Sequence, residues 1–265
     1  MPSNKKTDMR KPIVIGNWKM QLDLSEARRL MLEIKAGLTD VKDEDIDIVV
    51  CPSFLHLSMI RYQLSPNIKL GAQDLFWKDR GAYTGAVSGL QLSDVGVNYV
   101  IVGHSERRVL FRETDQEVNR KIQACLKNNL VPVICVGENL EERKGGETQN
   151  VVLRQLKIAL STINLKEPNQ IIIAYEPVWA IGRGKPVQAL DAQEVAQSIR
   201  RMLNEKYNTY LAERIRILYG GSVDAQTISE FVRQIDIDGS LVGGASLKAY
   251  NFIGIVKNTI LATQS

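Results

Sequence analysis

Eight short hydrophobic runs recur along the 265 residues, each followed by a segment with helical spacing. They occupy residues 13–15, 46–51, 68–72, 99–102, 131–136, 171–175, 215–219 and 239–242. The runs are brief and rich in Val and Ile, so each reads as a strand buried on both faces. Their mean spacing of about 30 residues is the period of β–α units in a parallel sheet. Two architectures accept such a chain: an open doubly wound sheet and a closed eightfold barrel.

The intervening segments carry one apolar stripe apiece. Val152, Leu156, Ala159, Leu160 and Ile163 form one stripe. Val195, Ile199, Met202 and Leu203 form a second, with Asp191 expected as its N-cap and Glu194 three residues on. Ile228, Phe231, Val232 and Ile235 form a third behind Asp224. A single buried face per helix is what packing on a sheet demands.

Composition is that of an ordinary globular protein, 44% hydrophobic and 24% charged. No apolar run approaches the roughly 20 residues of a membrane span, and residues 1–11 lack the apolar stretch of a secretory signal. A flexible N-terminal extension over 1–11 and one catalytic domain over 12–265 are expected. The net charge of +4 is mild and spread without a basic stripe, which argues against nucleic-acid binding. Cys51, Cys125 and Cys135 are an odd number without a CxxC pair, as in a reduced, cytoplasmic protein.

No Pro- or Ser-rich linker divides the chain, which favours a single-domain α/β fold, a closed (β/α)8 barrel. The cofactor fingerprints of open sheets are missing: there is no GxGxxG, and Gly184-Lys185 leads into Pro186 rather than Ser or Thr. Neither cofactor nor metal is expected.

A barrel places its site at the C-terminal ends of its strands. Asn17 and Lys19 follow the first strand; His104, Ser105 and Glu106 follow the fourth; Glu176 follows the sixth. Gly220-Gly221-Ser222 and Gly243-Gly244 follow the seventh and eighth, where backbone N–H groups can surround a phosphate. A His opening a helix meets the positive end of its dipole, which favours the neutral ring able to donate to a developing oxyanion. Ser105 and Glu106 read as orienting groups, with Glu106 paired to Arg107. His56, in contrast, reads as a packing or helix-surface residue. Beyond Glu176 lies an apolar flap between a proline and glycines: Pro177, Val178, Trp179, Ala180, Ile181, Gly182, Arg183, Gly184 and Lys185. Such a segment suits a water-excluding lid. The set suits proton abstraction next to a carbonyl on a small phosphorylated substrate.

The motifs GNWKM (16–20), GAQD (71–74), GAYTG (81–85), VGHSERR (102–108), AYEPVWAIG-x-GK (174–185), YGGSV (219–223) and LVGGASL (241–247) are similar to those of the triosephosphate isomerase family. The likeness covers residues 12 to about 260, in order. That family is a familiar case of a Glu base working with a neutral His beneath a closing loop. The resemblance implies interconversion of dihydroxyacetone phosphate and D-glyceraldehyde 3-phosphate. Glu176 would be the base and His104 the proton shuttle. Lys19 and Asn17 would stabilise negative charge, and Gly182, Ser222, Gly243 and Gly244 would hold the phosphate. It further implies a homodimer, with Gln73 and Thr84 in the loop that reaches the partner. Arg183 stands where the family commonly has Thr, and Pro186-Val187-Gln188 departs from its pattern, which bears on lid kinetics.

Two other readings remain at this level. A Schiff-base aldolase would need a lysine inside a strand, and Lys69 is the one available. A non-catalytic binding or adhesion protein could keep the same scaffold.

Overall fold

The computed structural model describes residues 10–181 and 187–264. Its eight strands are β1 (Ile13–Asn17), β2 (Asp47–Cys51), β3 (Ile68–Ala72), β4 (Tyr99–Val102), β5 (Val131–Val136), β6 (Ile172–Tyr175), β7 (Arg216–Tyr219) and β8 (Gly239–Val242). All pair in parallel with their sequence neighbours, and β8 closes on β1. The expected closed (β/α)8 barrel is the fold.

The strand bounds differ by a residue or two from the hydrophobic runs. β1 continues through Gly16 and Asn17, whose backbones pair in register with Val50 and Cys51. Ladder bonds are made by the backbone, so a polar side chain does not end a strand. Ile46, Ile171 and Ile215 are buried but precede their ladders.

The main helices after the first three strands are α1 (Leu24–Gly37), α2 (Leu57–Arg61) and α3 (Gly89–Val95). α4 (Ser105–Leu110) and α5 (Asp115–Lys127) follow β4, while α6 (Leu140–Lys144) and α7 (Thr148–Ala159) follow β5. α8 (Ala189–Lys206), α9 (Thr209–Arg214), α10 (Ile228–Val232) and α11 (Ala249–Gln264) complete the ring. The predicted stripes on α7 and α8 are buried. Two details are corrected. α8 begins at Ala189 behind Gln188, so Asp191 lies in its first turn and binds Arg143 rather than capping. Ile235 falls beyond α10 and is 52% exposed, because the helix ends at Val232.

Residues alternate along each strand between two buried clusters. Ile13, Ile15, Val49, Cys51, Ile101, Cys135, Ala174 and Leu218 belong to a small cluster inside the barrel. Their neighbours Val14, Val50, Val102, Ile173 and Tyr219 belong to the larger cluster under the helices. This period of two decides which residues reach the mouth: counting on from Ile15 and Ala174 gives Asn17 and Glu176.

The opposite end of the barrel is closed by charge. Asp47 accepts from Arg216 at 2.5 Å, Lys11 at 2.7 Å and Lys69 at 2.8 Å. Burial works against the Asp47 carboxylate, but Arg216 and the lysines overcome it and hold its pKa far below the usual range. Arg10 is also fastened, with Nε donating to Asp238 at 2.7 Å. The expected extension over 1–11 therefore gives up its last two residues to the barrel; residues 1–9 lie outside the described part.

Because the Asp47 pKa is depressed, its contribution is complete above the ordinary carboxylate range and is lost as pH falls through the depressed value. Asp47→Asn leaves Arg216 buried without its counter-charge and should cost about 3–5 kcal/mol. Urea unfolding at neutral pH should show this loss, and the gap from wild type should close only in strong acid.

Candidate active site

Glu176 extends the inward face of β6 by one position. Its backbone N–H donates to Val136 O at 2.7 Å, so it leaves the strand still in ladder geometry, and its side chain is 2% exposed. Two glycines make room for it. A Cβ on Gly137 would stand 1.7 Å from the Glu176 carbonyl oxygen, and one on Gly220 would stand 2.7 Å from Glu176 Cγ. The carboxylate accepts the Ser105 N–H through Oε2 at 3.0 Å, and Oε1 faces His104 Nε2 at 3.2 Å.

His104 is the N-cap of α4, where its Nδ1 accepts the Glu106 N–H at 3.2 Å. An accepting Nδ1 places the ring proton on Nε2, directed at Glu176. The preceding turn is held from behind. Gly103, at φ 70°, donates its N–H to Glu113 Oε1 at 3.0 Å. Glu113 in turn binds Arg107 at 2.7 Å and Lys121 at 2.6 Å, and both cations also bind Asp74. Burial opposes ionisation of Glu113, yet Lys121 and Arg107 bring its pKa below the usual value. The expected Glu106–Arg107 pair is thus corrected: Arg107 serves this network, while Glu106 turns to Lys19. Adjacency in the chain is a poor guide here, since successive helical residues point about 100° apart.

Lys19 reaches Glu106 Oε1 with Nζ at 2.5 Å. Its backbone has φ 52°, a left-handed conformation that costs a non-glycine residue about 1–2 kcal/mol. Asn17 Oδ1 accepts the Lys19 N–H at 3.0 Å. Ser246 Oγ shares its one proton between Gly243 O at 2.7 Å and Asn17 O at 3.3 Å, joining the mouths of β1 and β8. A cleft of about 400 Å³ brings together Asn17, Lys19, His104, Glu176, Ser222, Gly243 and Gly244. All the catalytic and phosphate-binding candidates within the described residues therefore line one space.

The near end of the segment expected to form a lid is tied down. Val178–Ala180 forms a 3-10 turn in which the Val178 N–H donates to Glu138 O at 3.0 Å. Trp179 Nε1 donates to Glu138 Oε1 at 2.9 Å, and Tyr175 OH donates to Oε2 at 3.1 Å. Beyond Ile181, which lines the cleft, Gly182, Arg183, Gly184, Lys185 and Pro186 lie outside the described residues. At the far side the Val187 N–H donates to Tyr219 OH at 3.3 Å.

The sequence reading missed Glu138, Gly137 and Glu113. Gly137 and Glu138 follow β5 directly, so the same inspection of strand ends would have found them. Glu113 gave no such signal, because its partners lie on three separate elements. Other assignments hold: His56 is buried and its ring meets Ser53 Oγ at 3.1 Å. Cys135 is fully buried, and burial together with the Glu176 charge raises its thiol well above the ordinary value. Lys69 sits at the closed floor against Asp47. Burial alone would lower its pKa, but Asp47 reverses this and raises it, opposite to the need of a Schiff-base lysine.

Gly220→Ala tests the packing of the carboxylate. The new methyl group should push Glu176 aside by about 1 Å and reduce kcat about 100-fold, while circular dichroism and Tm stay near those of wild type.

A model of the family described as "Triosephosphate isomerase" matches residues 12–259. Similar curated proteins carry that name. The one from Moorella thermoacetica is 49% identical over 249 residues, covering 94% of this chain and 98% of its own length. Those from Caldanaerobacter subterraneus subsp. tengcongensis and Alkaliphilus oremlandii are 48% and 47% identical, each covering 94% of this chain and 99% of their own length. The chain belongs to the triosephosphate isomerase family.

Proposed function

We propose that the cleft performs the family's reaction, interconverting dihydroxyacetone phosphate and D-glyceraldehyde 3-phosphate, as follows. The observation that carries this reading is the convergence of the Glu176 carboxylate and the His104 Nε2–H at 3.2 Å, beside the two glycine mouths. A triose phosphate seated with its phosphate at Ser222, Gly243 and Gly244 brings its carbonyl end to these groups. Its oxygen replaces Glu176 as the acceptor for Nε2–H.

Glu176 then removes a proton from the carbon beside the carbonyl, and the electron pair moves onto the carbonyl oxygen to give an enediolate. His104 donates to that oxygen and relays a proton between the two oxygens. Lys19 and Asn17 stabilise the negative charge, the cation being worth most in a cleft shielded from water. Glu176 returns its proton to the neighbouring carbon, which completes the isomerisation without net gain or loss of atoms. Ser105 positions the base, and Glu106 positions Lys19. The lid excludes water while the enediolate exists; Gly182 supplies a phosphate N–H when the lid closes.

The chain acts as a homodimer. Residues 80–86 at the tip of the loop after β3 are exposed, and the loop is closed at its neck where the Phe76 N–H meets Val87 O at 2.8 Å. Met20, Leu55, Leu110 and Phe111 are 93%, 89%, 71% and 67% exposed, on segments that follow the C-terminal ends of β1, β2 and β4. Large apolar side chains this exposed at one end of the barrel are what a partner surface would cover. The Thr84 tip meets the partner's apolar face. No helix among the described residues is long and apolar enough to cross a membrane, and the buried free thiols of Cys51, Cys125 and Cys135 suit a cytoplasmic enzyme.

A coupled assay for triose phosphate interconversion tests the reaction. Glu176→Asp retracts the carboxylate by about one methylene and should lower kcat about 100-fold or more with the fold intact; near-wild-type turnover would remove Glu176 as base. For the assembly, sedimentation should give twice the mass of one chain, and Phe111→Glu should shift the population towards monomer.

A further inference from the structure

Lys19 is the one catalytic candidate whose backbone is held against its intrinsic preference, at φ 52°. Lysine offers no short polar side chain to stabilise the left-handed region locally, as Asn or Asp does. The surroundings must therefore impose it. Asn17 accounts for the N–H. The carbonyl is accounted for by Gln73, whose Nε2 donates to Lys19 O at 2.8 Å and to Cys51 O at 3.0 Å. Both acceptors are carbonyls, so only the NH2 end of the carboxamide can face them, and its two protons match its two partners.

Gln73 follows the last residue of β3, Cys51 ends β2, and Lys19 lies beyond the end of β1. One side chain thus fastens the mouths of three successive strands. Cys51 O also accepts the Trp18 N–H at 3.1 Å, which fixes the Asn17–Trp18 peptide one step before Lys19. The Lys19 peptide planes are bonded on both sides, so its Cα–Cβ direction has little freedom. That direction carries the ammonium group past Gly243, where an added Cβ would stand 3.6 Å from Nζ, to Glu106. Relaxation to an ordinary φ would swing the Cβ, and the charge with it, away from the substrate oxygens.

We infer that Gln73 is a positioning residue for catalysis, acting through the Lys19 backbone, in addition to its place at the root of the dimer loop. This rests on the reading of Lys19 as the cation of the isomerase site. Gln73→Met keeps the length of the side chain and removes both donors. Kinetics of this variant, of Lys19→Ala and of the double variant form a cycle that separates positioning from general packing. In the dimeric state confirmed by sedimentation, Gln73→Met should lower kcat/KM about 10-fold to 100-fold with Tm within a few degrees of wild type. In the Lys19→Ala background the same change should alter kcat/KM less than about twofold, since no ammonium group is left to position. Should Gln73→Met fail to fold, Gln73→Asn, which keeps the amide but retracts it, carries the same cycle. Equal losses in both backgrounds, or wild-type kinetics in Gln73→Met, would overturn the proposal alone. Near-wild-type activity in Lys19→Ala would overturn the reading of Lys19 and the proposal with it.

Discussion

The site exists because the first strand pairs with the last. Ladder bonds from Ile13 opposite Gly239 to Gly16 opposite Val242 close the sheet. They bring the loop of Asn17 and Lys19 beside the loop of Gly243 and Gly244. Ser246 completes the join at the mouth by sharing its hydroxyl proton between carbonyls of both loops. Without closure, Lys19 and the Gly243-Gly244 turn would lie at opposite edges of an open sheet. Closure also fixes the alternation of side chains, which puts Glu176, Gly137 and Gly220 on the inner face. Two of these must be glycine for the third to fit.

The two ends of the barrel handle buried charge in opposite ways. At the floor, Asp47 is surrounded by Arg216, Lys11 and Lys69, an arrangement that stabilises the ionised form and leaves nothing reactive. At the mouth, Glu176 is as deeply buried but is held by the Ser105 N–H and the His104 imidazole rather than by cations. The positive charge of Lys19 is directed at Glu106 instead, which keeps it near the cleft without quenching the base.

Much of this was legible in the residues. Eight runs at a βα period are enough to propose a barrel, and the barrel rule then picks out Asn17, Lys19, His104, Glu176 and the glycine mouths. What could not be read were relations across elements. Glu106 adjoins Arg107 in the chain but binds Lys19, and Glu113 supports the His104 turn from the segment between α4 and α5. Gln73 was assigned to the dimer loop from its motif, and nothing in the sequence tells that its amide reaches Lys19 O. Such contacts depend on the stagger of neighbouring strands and on side-chain reach, neither of which has a sequence period. The ends of helices were misread for a related reason. Asp191 has the chemistry of an N-cap, but Arg143 on another helix draws it into an ion pair.

The central claim is that Glu176 moves a proton, rather than a hydride passing directly between carbons. The direct measurement is isomerisation in deuterium oxide, with the product carbon beside the carbonyl examined by NMR. A proton held on a carboxylate can exchange with solvent before it returns, so the account predicts deuterium at that carbon, formed at a rate that falls with turnover in Glu176→Asp. A product free of deuterium at that carbon, formed at the full rate, would contradict it.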